Sequence, residues 1–226
     1  MHILDYFSIS HTIFKVLGYE VSYIEFIGTV LGLISIWLAT KANIYTWHTG
    51  IINQLAFFVI FYQVQLYSDM LLQVYFTYVC IYGWIYWKKE SSDKKYTISY
   101  LKPNPRILIC LIIAVSTFLL GNISIKLPTF FPGLFTRPPA YPFTDALIST
   151  MSILACFLMA RKRIESWVLW ILTDILSIFI YALKGVHFIS AEYIVFLLMA
   201  IYGLVNWVKL FNNEDRADSG KVYAAA

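Results

Sequence analysis

The chain has 226 residues, of which 60% are hydrophobic, 18% are aromatic and only 13% are charged. Its mean hydropathy of +0.69 lies far above that of soluble domains, in which roughly a quarter of the residues are charged. The apolar residues occur in long runs that would coat the surface of a soluble protein rather than fill one core. The composition therefore excludes a soluble enzyme and indicates a polytopic membrane protein.

The net charge and the cysteine and histidine content indicate neither nucleic-acid binding nor a metal site. The formal net charge of +4 is too small to indicate nucleic-acid binding. The three cysteines and four histidines lack the spacing of a disulfide framework or a metal site. We therefore expect no metal, no cofactor and no nucleic acid, and we interpret the cysteines as small core residues.

The first twenty residues differ from the rest of the chain. They contain Asp5, His11, Lys15 and Glu20 among short apolar stretches. This pattern predicts an amphipathic helix at the membrane interface over residues 1–20. A cleaved signal peptide is not expected, because no basic start leads into an apolar stretch and a small-residue cleavage site.

Seven segments then reach the length of about 20 mostly apolar residues that a transmembrane helix needs. The third is followed by the most polar stretch of the chain, KKESSDKKYTISYLKPNP, which we predict to be an exposed loop. Five prolines predict a structured loop from about Ser124 to Phe143, because proline does not continue a helix. The predicted spans are 22–40, 45–63, 69–87, 106–125, 143–160, 165–183 and 189–210.

Basic residues are distributed unequally between the loops on the two sides of the membrane. With seven spans, one side receives 4 of the 17 Lys and Arg residues and the other receives 13. The positive-inside rule then predicts an outside amino terminus and a cytoplasmic carboxy terminus. The same rule explains the basic cluster from Lys88 to Arg106 as a topology signal rather than a nucleic-acid or specific-lipid site.

A repeat at a shift of 120 residues relates the two halves of the chain. IYGWIYW at 81–87 recurs as IYGLVNW at 201–207, Trp47 recurs as Trp167, and Glu25 recurs as Asp145. We predict an all-α integral membrane fold in which two parallel three-helix repeats flank a single helix (3+1+3), an arrangement of transporters. The predicted units are an interfacial helix (1–20), the first repeat (21–88), a connector with the fourth helix and proline-rich loop (89–142), the second repeat (143–210) and a polar, disordered tail (211–226).

Polar side chains within the spans indicate where function resides. A charged residue in the middle of a span costs about 2.5–3.5 kcal/mol and normally faces a cavity or a partner. Asp174 is the clearest example, and it lies on an arc of about 80° with four other aromatic or hydroxyl residues when 100° is allowed for each residue. The arc comprises Trp167, Trp170, Asp174, Ser177 and Tyr181. The second span places Trp47, Gly50, Asn53 and Gln54 within about 120°.

Facing each other, these two surfaces would form a slot between aromatic walls, with carboxylate and amide groups at its sides. Such a slot suits a small, planar, partly polar ligand, and a cationic ring would gain stacking and cation–π attraction. The alternative is that the tryptophans belong to the interfacial belts and that Asp174, Asn53 and Gln73 serve helix–helix hydrogen bonding. Glu192 and Asn206 are weaker candidates, and Glu25, Asp69 and Asp145 stand at helix starts, where an acid favours the helix dipole.

Three stretches together resemble the PnuC family of bacterial vitamin transporters. They are WHTGIINQLAFFVIFYQVQLYSDMLLQVYF, the YGWIYW ending of the third span, and ARKRIESWVLWILTD with a following YALKG. The resemblance extends from about Glu25 to Trp207. It implies uptake of nicotinamide riboside, a precursor of NAD, by facilitated diffusion through the inner membrane, with trapping by a cytoplasmic kinase. It also implies a fold similar to SWEET-type sugar transporters and a homotrimer.

The resemblance carries over to individual residues. Trp47 and Asn53 match the tryptophan and asparagine of the second-span motif, and Trp167, Trp170 and Asp174 match the sixth-span motif. Together with the arcs described above, this gives the candidate substrate-binding residues Trp47, Asn53, Gln54, Gln73, Trp167, Trp170, Asp174, Ser177 and Tyr181.

The substrate and the energetics stay open at this point. Related subfamilies carry thiamine or riboflavin, and a carboxylate at Asp174 favours a cationic ligand, either nicotinamide riboside or thiamine, over riboflavin. A proton-coupled carrier and a membrane-embedded enzyme are further alternatives. No ATP or dinucleotide motif is present, and no nucleophile and base stand at catalytic spacing, so we expect a transporter. Its expected partners are a small-molecule substrate, membrane lipid and further copies of the chain.

Overall fold

The structure, a computed structural model, describes residue 8 and residues 11–16, 19–64, 67–90, 97–133, 139–185 and 187–224. These residues form a two-stranded antiparallel sheet and seven helices. The strands are β1 (Thr12–Val16) and β2 (Tyr19–Ser22). The helices are α1 (Tyr23–Thr40), α2 (Tyr45–Gln63), α3 (Tyr67–Glu90), α4 (Pro103–Phe130), α5 (Pro142–Ala160), α6 (Glu165–Leu183) and α7 (His187–Ala224).

The amino-terminal segment is a β-hairpin over its described residues, so the predicted interfacial helix over residues 1–20 is wrong there. Residues 1–7, 9–10 and 17–18 lie outside the described residues. The sequence of β1, TIFKV, is rich in β-branched and aromatic residues, which favour a pleated strand. Lys15 and Glu20 face each other across the hairpin and form an ion pair. An edge-to-face contact between Phe14 and Phe26, with ring centroids 5.7 Å apart, packs the hairpin against α1.

Acidic residues at the starts of α1 and α5 have structural partners. The Ser22 backbone N–H donates to the Glu25 carboxylate at 2.8 Å, and the Glu25 N–H donates back to the Ser22 hydroxyl at 3.3 Å. This reciprocal pair is a capping box, which satisfies otherwise free donors at a helix start. Asp145 accepts a hydrogen bond from Lys184 at 3.1 Å. Both residues therefore stabilise helix ends, as their positions in the sequence indicated.

The seven helices fall on the seven predicted spans. Five helical segments are long and apolar enough to cross a membrane: Tyr23–Thr40, Pro103–Phe130, Pro142–Ala160, Glu165–Leu183 and Ile189–Asn213. The two other helices, α2 and α3, carry more polar and tyrosine residues, among them the asparagine and glutamines of the predicted site. The chain is thus a helical, multi-pass membrane protein.

Two helices extend further than predicted. α4 continues through Pro128 to Phe130, so the proline-rich loop does not begin at Ser124. Pro128 lacks the N–H of a regular helical residue, but the Phe131 N–H still closes the last turn on the Leu127 carbonyl at 2.8 Å. The backbone of α7 is helical to Ala224, so a disordered tail over 211–226 is wrong for 211–224. Extending an existing helix avoids the unfavourable nucleation step that a new helix requires.

Six of the helices close a ring. Consecutive helices contact each other within α1, α2 and α3 and within α5, α6 and α7, while α1 also packs on α7 and α3 on α5. α4 packs on α5, and only 6% of its apolar stretch is buried. It therefore lies at the side of the ring, with most of its apolar surface exposed.

The shift of 120 residues recurs in the geometry of the two halves. α2 and α6 begin and end at positions that differ by 120, as do the first residues of α3 and α7. The turns before α2 and α6 each contain one residue with positive φ, Ala42 at 51° and Lys162 at 52°. The backbone hydrogen bonds of these turns also correspond, for example Asn43 N–H to the Leu38 carbonyl and Arg163 N–H to the Leu158 carbonyl. The two turns therefore have the same local structure.

Candidate substrate site

Four tryptophans pack together where α1 and α5 end and α2 and α6 begin. Trp47, Trp87, Trp167 and Trp207 are each at most 3% exposed and belong to one buried cluster. Their rings form a chain, with centroids 5.1 Å apart from Trp47 to Trp87, 6.1 Å from Trp87 to Trp207 and 5.6 Å from Trp207 to Trp167. Because all four are buried within the protein, the interfacial-belt interpretation does not apply to them. We call this group the tryptophan cluster.

A glycine lies beneath each outer tryptophan of the cluster. A Cβ atom at Gly83 would lie 2.6 Å from the Trp47 ring, and one at Gly203 would lie 2.6 Å from the Trp167 ring. A glycine permits this close approach because it has no side chain. The repeated YG pair therefore marks the positions at which α3 and α7 accept an indole from α2 and α6.

The two inner tryptophans tie the halves of the chain together. Trp87 Nε1 donates to the Ala160 carbonyl at the end of α5 at 3.0 Å, and Trp207 Nε1 donates to the Ala39 carbonyl at the end of α1 at 2.9 Å. Asn206 adds a hydrogen bond to the Thr40 carbonyl at 2.8 Å. Each half thus binds the end of the other half's first helix, and Asn206 has a structural role.

The two outer tryptophans lack such partners. Among the described residues, none accepts a hydrogen bond from the buried Nε1 of Trp47 or of Trp167. A buried donor without a partner costs about 1–3 kcal/mol. The tryptophan cluster contains two such donors. Each of these N–H groups is a buried donor for which a ligand or water oxygen would supply the missing acceptor.

Asp174 lies on the same face of α6 as Trp167 and is 3% exposed. No described residue forms an ion pair with its carboxylate or donates a hydrogen bond to it. Its neighbours on α6 are polar as well, since Thr173 and Ser177 are buried at 2% and 0% exposure. A buried carboxylate without a counter-charge is costly, and a bound cation would relieve that cost.

The polar surface continues outward to a pair of tyrosines. Tyr181, at the far end of the α6 arc, stacks on Tyr193 of α7 with ring centroids 5.5 Å apart and planes 13° apart. The Tyr193 phenol lies beside the Ser177 hydroxyl and within electrostatic range of Asp174. Tyr193 is not among the predicted site residues, although the shift of 120 makes its position equivalent to that of Gln73, which is one of them.

The remaining predicted residues have different surroundings. Asn53 donates from Nδ2 to the Gly28 carbonyl of α1 at 2.7 Å, so its amide nitrogen serves helix–helix hydrogen bonding. Gln73 is 8% exposed and donates to the Asp69 carbonyl of its own helix at 3.4 Å. Gln54 is half-buried, and Trp170 packs partly buried against the tryptophan cluster. The structure therefore brings Trp47, Trp167 and Trp170 together and leaves Asn53 as a helix contact.

Acidic residues gather at the end of the bundle opposite the tryptophan cluster. Asp69, Asp145 and Glu192 all lie within electrostatic range of the Tyr181 phenol. Lys184 neutralises Asp145 through its hydrogen bond. Asp69, Asp145 and Glu192 thus lie around the outer end of the α6 arc, whereas Asn206 lies at the opposite end.

A short segment before α4 covers the other end. Ile98 is 4% exposed and packs in the same buried core as the tryptophan cluster, so the predicted exposed loop contributes one buried side chain. Ser99 N–H donates to the Lys162 carbonyl and Ile164 N–H donates to the Ser99 carbonyl, both at 3.1 Å. The Glu165 carboxylate accepts from Leu101 N–H at 3.0 Å and from Arg106 Nε at 2.9 Å. We call residues 97–101 the strap.

No group of three or more His, Cys, Asp or Glu side chains within the described ranges is arranged to hold a metal ion. The candidate site is instead a polar arc inside a ring of apolar helices, with unsatisfied donors at one end and an unpaired carboxylate in the middle. A spanning helical bundle with a buried polar surface is typical of a multi-pass membrane transporter.

Comparisons with known proteins identify the family. Residues 22–209 match the family model described as nicotinamide mononucleotide transporter. The nicotinamide riboside transporter PnuC of Escherichia coli (strain K12) is 34% identical over 91% of this chain and 95% of its own length. The riboflavin/roseoflavin transporter RibM of Streptomyces davaonensis is 24% identical over 86% of this chain and 88% of its own. A crystal structure of the vitamin B3 transporter PnuC has the same fold, with a TM-score of 0.65 and 22% identity over 84% of this chain and 83% of that one.

The chain therefore belongs to the nicotinamide mononucleotide transporter family. Its relatives in that family are transporters and not enzymes. The resemblance to the PnuC family, inferred from the motifs in the second, third and sixth spans, is confirmed.

Proposed function

We propose that this protein takes up nicotinamide riboside across the bacterial inner membrane. The observation that carries the proposal is the buried Asp174 carboxylate, which no described residue neutralises and which stands two turns from the Trp167 ring. Nicotinamide riboside has a cationic aromatic ring, an amide and ribose hydroxyls. The site offers the complementary groups, because it has a carboxylate, aromatic faces and unsatisfied indole N–H donors.

The family comparison supports the same substrate. The PnuC relative of Escherichia coli, named as a nicotinamide riboside transporter, is 34% identical to this chain. Relatives named for nicotinamide riboside and for riboflavin both occur at 24–26% identity, so the preference against riboflavin comes from the site chemistry. Riboflavin carries no positive charge on its ring. Its binding would therefore leave the buried Asp174 carboxylate without a counter-charge. The 34% identity to a nicotinamide riboside transporter and the buried carboxylate together favour the cationic nucleoside.

The finer features of the proposal follow from the architecture and the resemblance. We propose that the two halves are parallel repeats around α4, in a 3+1+3 plan similar to SWEET-type transporters, and that α2 and α3 span the membrane with the five more apolar helices. We further propose facilitated diffusion, trapping of the nucleoside by cytoplasmic phosphorylation and a homotrimer. The correspondence of turns, glycines and tryptophans at a shift of 120 supports the repeat.

Calorimetric titration of the purified protein with nicotinamide riboside, thiamine and riboflavin tests the substrate. We expect binding of nicotinamide riboside, weaker binding of thiamine because it lacks the ribose, and no binding of riboflavin. Riboflavin binding in the absence of nicotinamide riboside binding would refute the proposal. In proteoliposomes, substrate accumulation driven by a pH gradient would show that transport is coupled to protons and is not facilitated diffusion.

The Asp174→Asn variant tests the role of the carboxylate. Removing the charge should weaken nicotinamide riboside binding by about tenfold or more, which corresponds to about 1.4 kcal/mol, because the cation loses its counter-charge. Glu192→Gln, which removes a carboxylate from the outer end of the bundle without changing side-chain length, is the matched control and should have a much smaller effect. Equal affinity of the wild type and Asp174→Asn for the cation would show that Asp174 does not bind it.

A further inference from the structure

We propose that Gln54 and Asp174 occupy equivalent positions on opposite walls of one binding site, and that the carboxylate on only one wall determines the orientation of the bound ligand. The inference rests on the proposed function and adds to it a second wall, formed by α2, and a residue that determines specificity. The two halves of the chain place Gln54 and Asp174 at equivalent positions.

The two residues have the same relation to the tryptophan cluster. Gln54 follows Trp47 by seven residues, and Asp174 follows Trp167 by seven. Seven residues of helix correspond to a rise of about 10.5 Å and a rotation of only about 20° from the starting face. Since α2 and α6 both begin at the tryptophan cluster, Gln54 and Asp174 lie the same distance beyond it, each on the face that carries its tryptophan.

The tryptophan cluster connects the two faces that carry Gln54 and Asp174. Trp47 and Trp167 belong to one buried cluster and are linked through Trp87 and Trp207 by ring contacts of 5.1–6.1 Å. Both outer indoles leave a buried N–H without an acceptor among the described residues. The tryptophan cluster is thus a floor with one unsatisfied donor on each side, and Gln54 and Asp174 are the residues two turns above it.

The walls differ in polarity beyond that level. On α6, Ser177 and Tyr181 follow Asp174, whereas the equivalent positions of α2 are Phe57 and Phe61, whose ring centroids lie 5.9 Å apart. The α6 wall therefore carries a carboxylate and hydroxyls, whereas the α2 wall carries an amide and phenylalanines, of which Phe57 packs beside Gly28 of α1. A ligand with a positive ring and a hydroxylated sugar has one favourable orientation between such walls, with its charge on the α6 side.

Exchanging the two side chains tests this arrangement. Asp174→Gln alone should weaken nicotinamide riboside binding by about tenfold or more, as the single carboxylate is lost. In the double variant Gln54→Asp/Asp174→Gln, the carboxylate returns on the opposite wall, and we expect the affinity to recover to within about threefold of the wild type. Calorimetry measures both, and thermal unfolding in detergent shows that the variants are folded.

A displaced carboxylate provides the control. Gln63 lies nine residues beyond Gln54, about 180° around α2, so Gln63→Asp/Asp174→Gln restores the net charge without facing the site. This variant should bind as weakly as Asp174→Gln. Recovery in both double variants would overturn the inference, because net charge alone would then explain it.

The outcomes separate the inference from the proposed function. If the wild type binds nicotinamide riboside, Asp174→Gln does not, and the exchange variant is folded but fails to recover, the shared site is wrong while the proposed function stands. If the wild type fails to bind nicotinamide riboside, the proposed function is overturned and the inference with it.

Discussion

Gly83 and Gly203 show how single residues fix the centre of this protein. Each lies beneath a buried indole, and a Cβ at either position would meet ring atoms at 2.6 Å. Since an indole in a packed cluster has no room to retreat, the helices would have to separate. The two glycines thereby set the distance between α2 and α3 and between α6 and α7.

Alanine at these positions should destabilise the fold. Overpacking of a filled core destabilises a protein by about 1–3 kcal/mol. We therefore expect Gly83→Ala and Gly203→Ala each to lower the thermal unfolding temperature in detergent by a similar amount. Gly133→Ala is the control, because a Cβ there meets nothing within 4 Å. Unfolding temperatures equal to that of the control would mean that the indoles are not held against α3 and α7.

The sequence predicts some residues of the site and not others, for physical reasons. Asp174 is evident because a carboxylate in an apolar span is expensive wherever it points. The unsatisfied N–H groups of Trp47 and Trp167 are not evident, since Trp87 and Trp207 have the same residue type and do find backbone acceptors. Hydrogen-bond partners across helices depend on packing, which no local pattern encodes.

At the scale of elements, the strap is the least symmetric feature of the bundle. It lies against the turn between α5 and α6, where Glu165 accepts from Leu101 N–H and from Arg106. In the first half, the equivalent turn is capped locally, by Tyr45 N–H donating to the Asn43 side chain at 2.9 Å. The strap therefore adds a cover to one half of the tryptophan cluster and is held by the Glu165 carboxylate together with the backbone hydrogen bonds of Ser99.

Glu165→Gln should loosen the strap. The amide loses the charge-assisted bond to Arg106 and one of the acceptor sites used by Leu101, and bonds to charged groups contribute about 1.5–3 kcal/mol. We expect faster hydrogen exchange at the Ser99 and Leu101 amides, measured by mass spectrometry in detergent. Glu25→Gln, which alters the cap of α1, should leave this exchange unchanged. Strap amides that exchange at the wild-type rate in Glu165→Gln would show that the remaining contacts of Ile98 and Ser99 hold the segment.

Element prediction succeeded where apolar length decides the structure and failed at the polar ends. The seven helices follow from runs of about 20 apolar residues, because the bilayer requires that length. The hairpin at Thr12–Ser22 depends on pairing across a turn, and an amphipathic pattern does not distinguish it from an interfacial helix. The ends of α4 and α7 lie beyond the apolar runs, where continuation of an existing helix outweighs composition.

At the scale of the whole molecule, the two halves are held together at one end. Trp87 and Trp207 each bond to the end of the opposite half's first helix. The aromatic contacts around them correspond as well, since Trp37 stacks on Tyr202 and Phe157 on Tyr82. The opposite end has acidic residues around Tyr181 and no comparable cluster of tryptophans among the described residues. The structure is thus closed at the end that carries the basic turns.

The orientation of this closed end in the membrane is a prediction that labelling can test. The closed end carries Lys41, Lys102 and the basic turn Arg161–Arg163, and positive loops stay in the cytoplasm. After replacement of Cys80, Cys110 and Cys156 by alanine, Ala140→Cys should react with a membrane-impermeant maleimide in intact cells. Lys102→Cys should react only after the membrane is permeabilised. Both positions are exposed, so the comparison depends on the side of the membrane and not on burial. The reverse pattern would place the tryptophan cluster outside and make the acidic end the exit for the substrate.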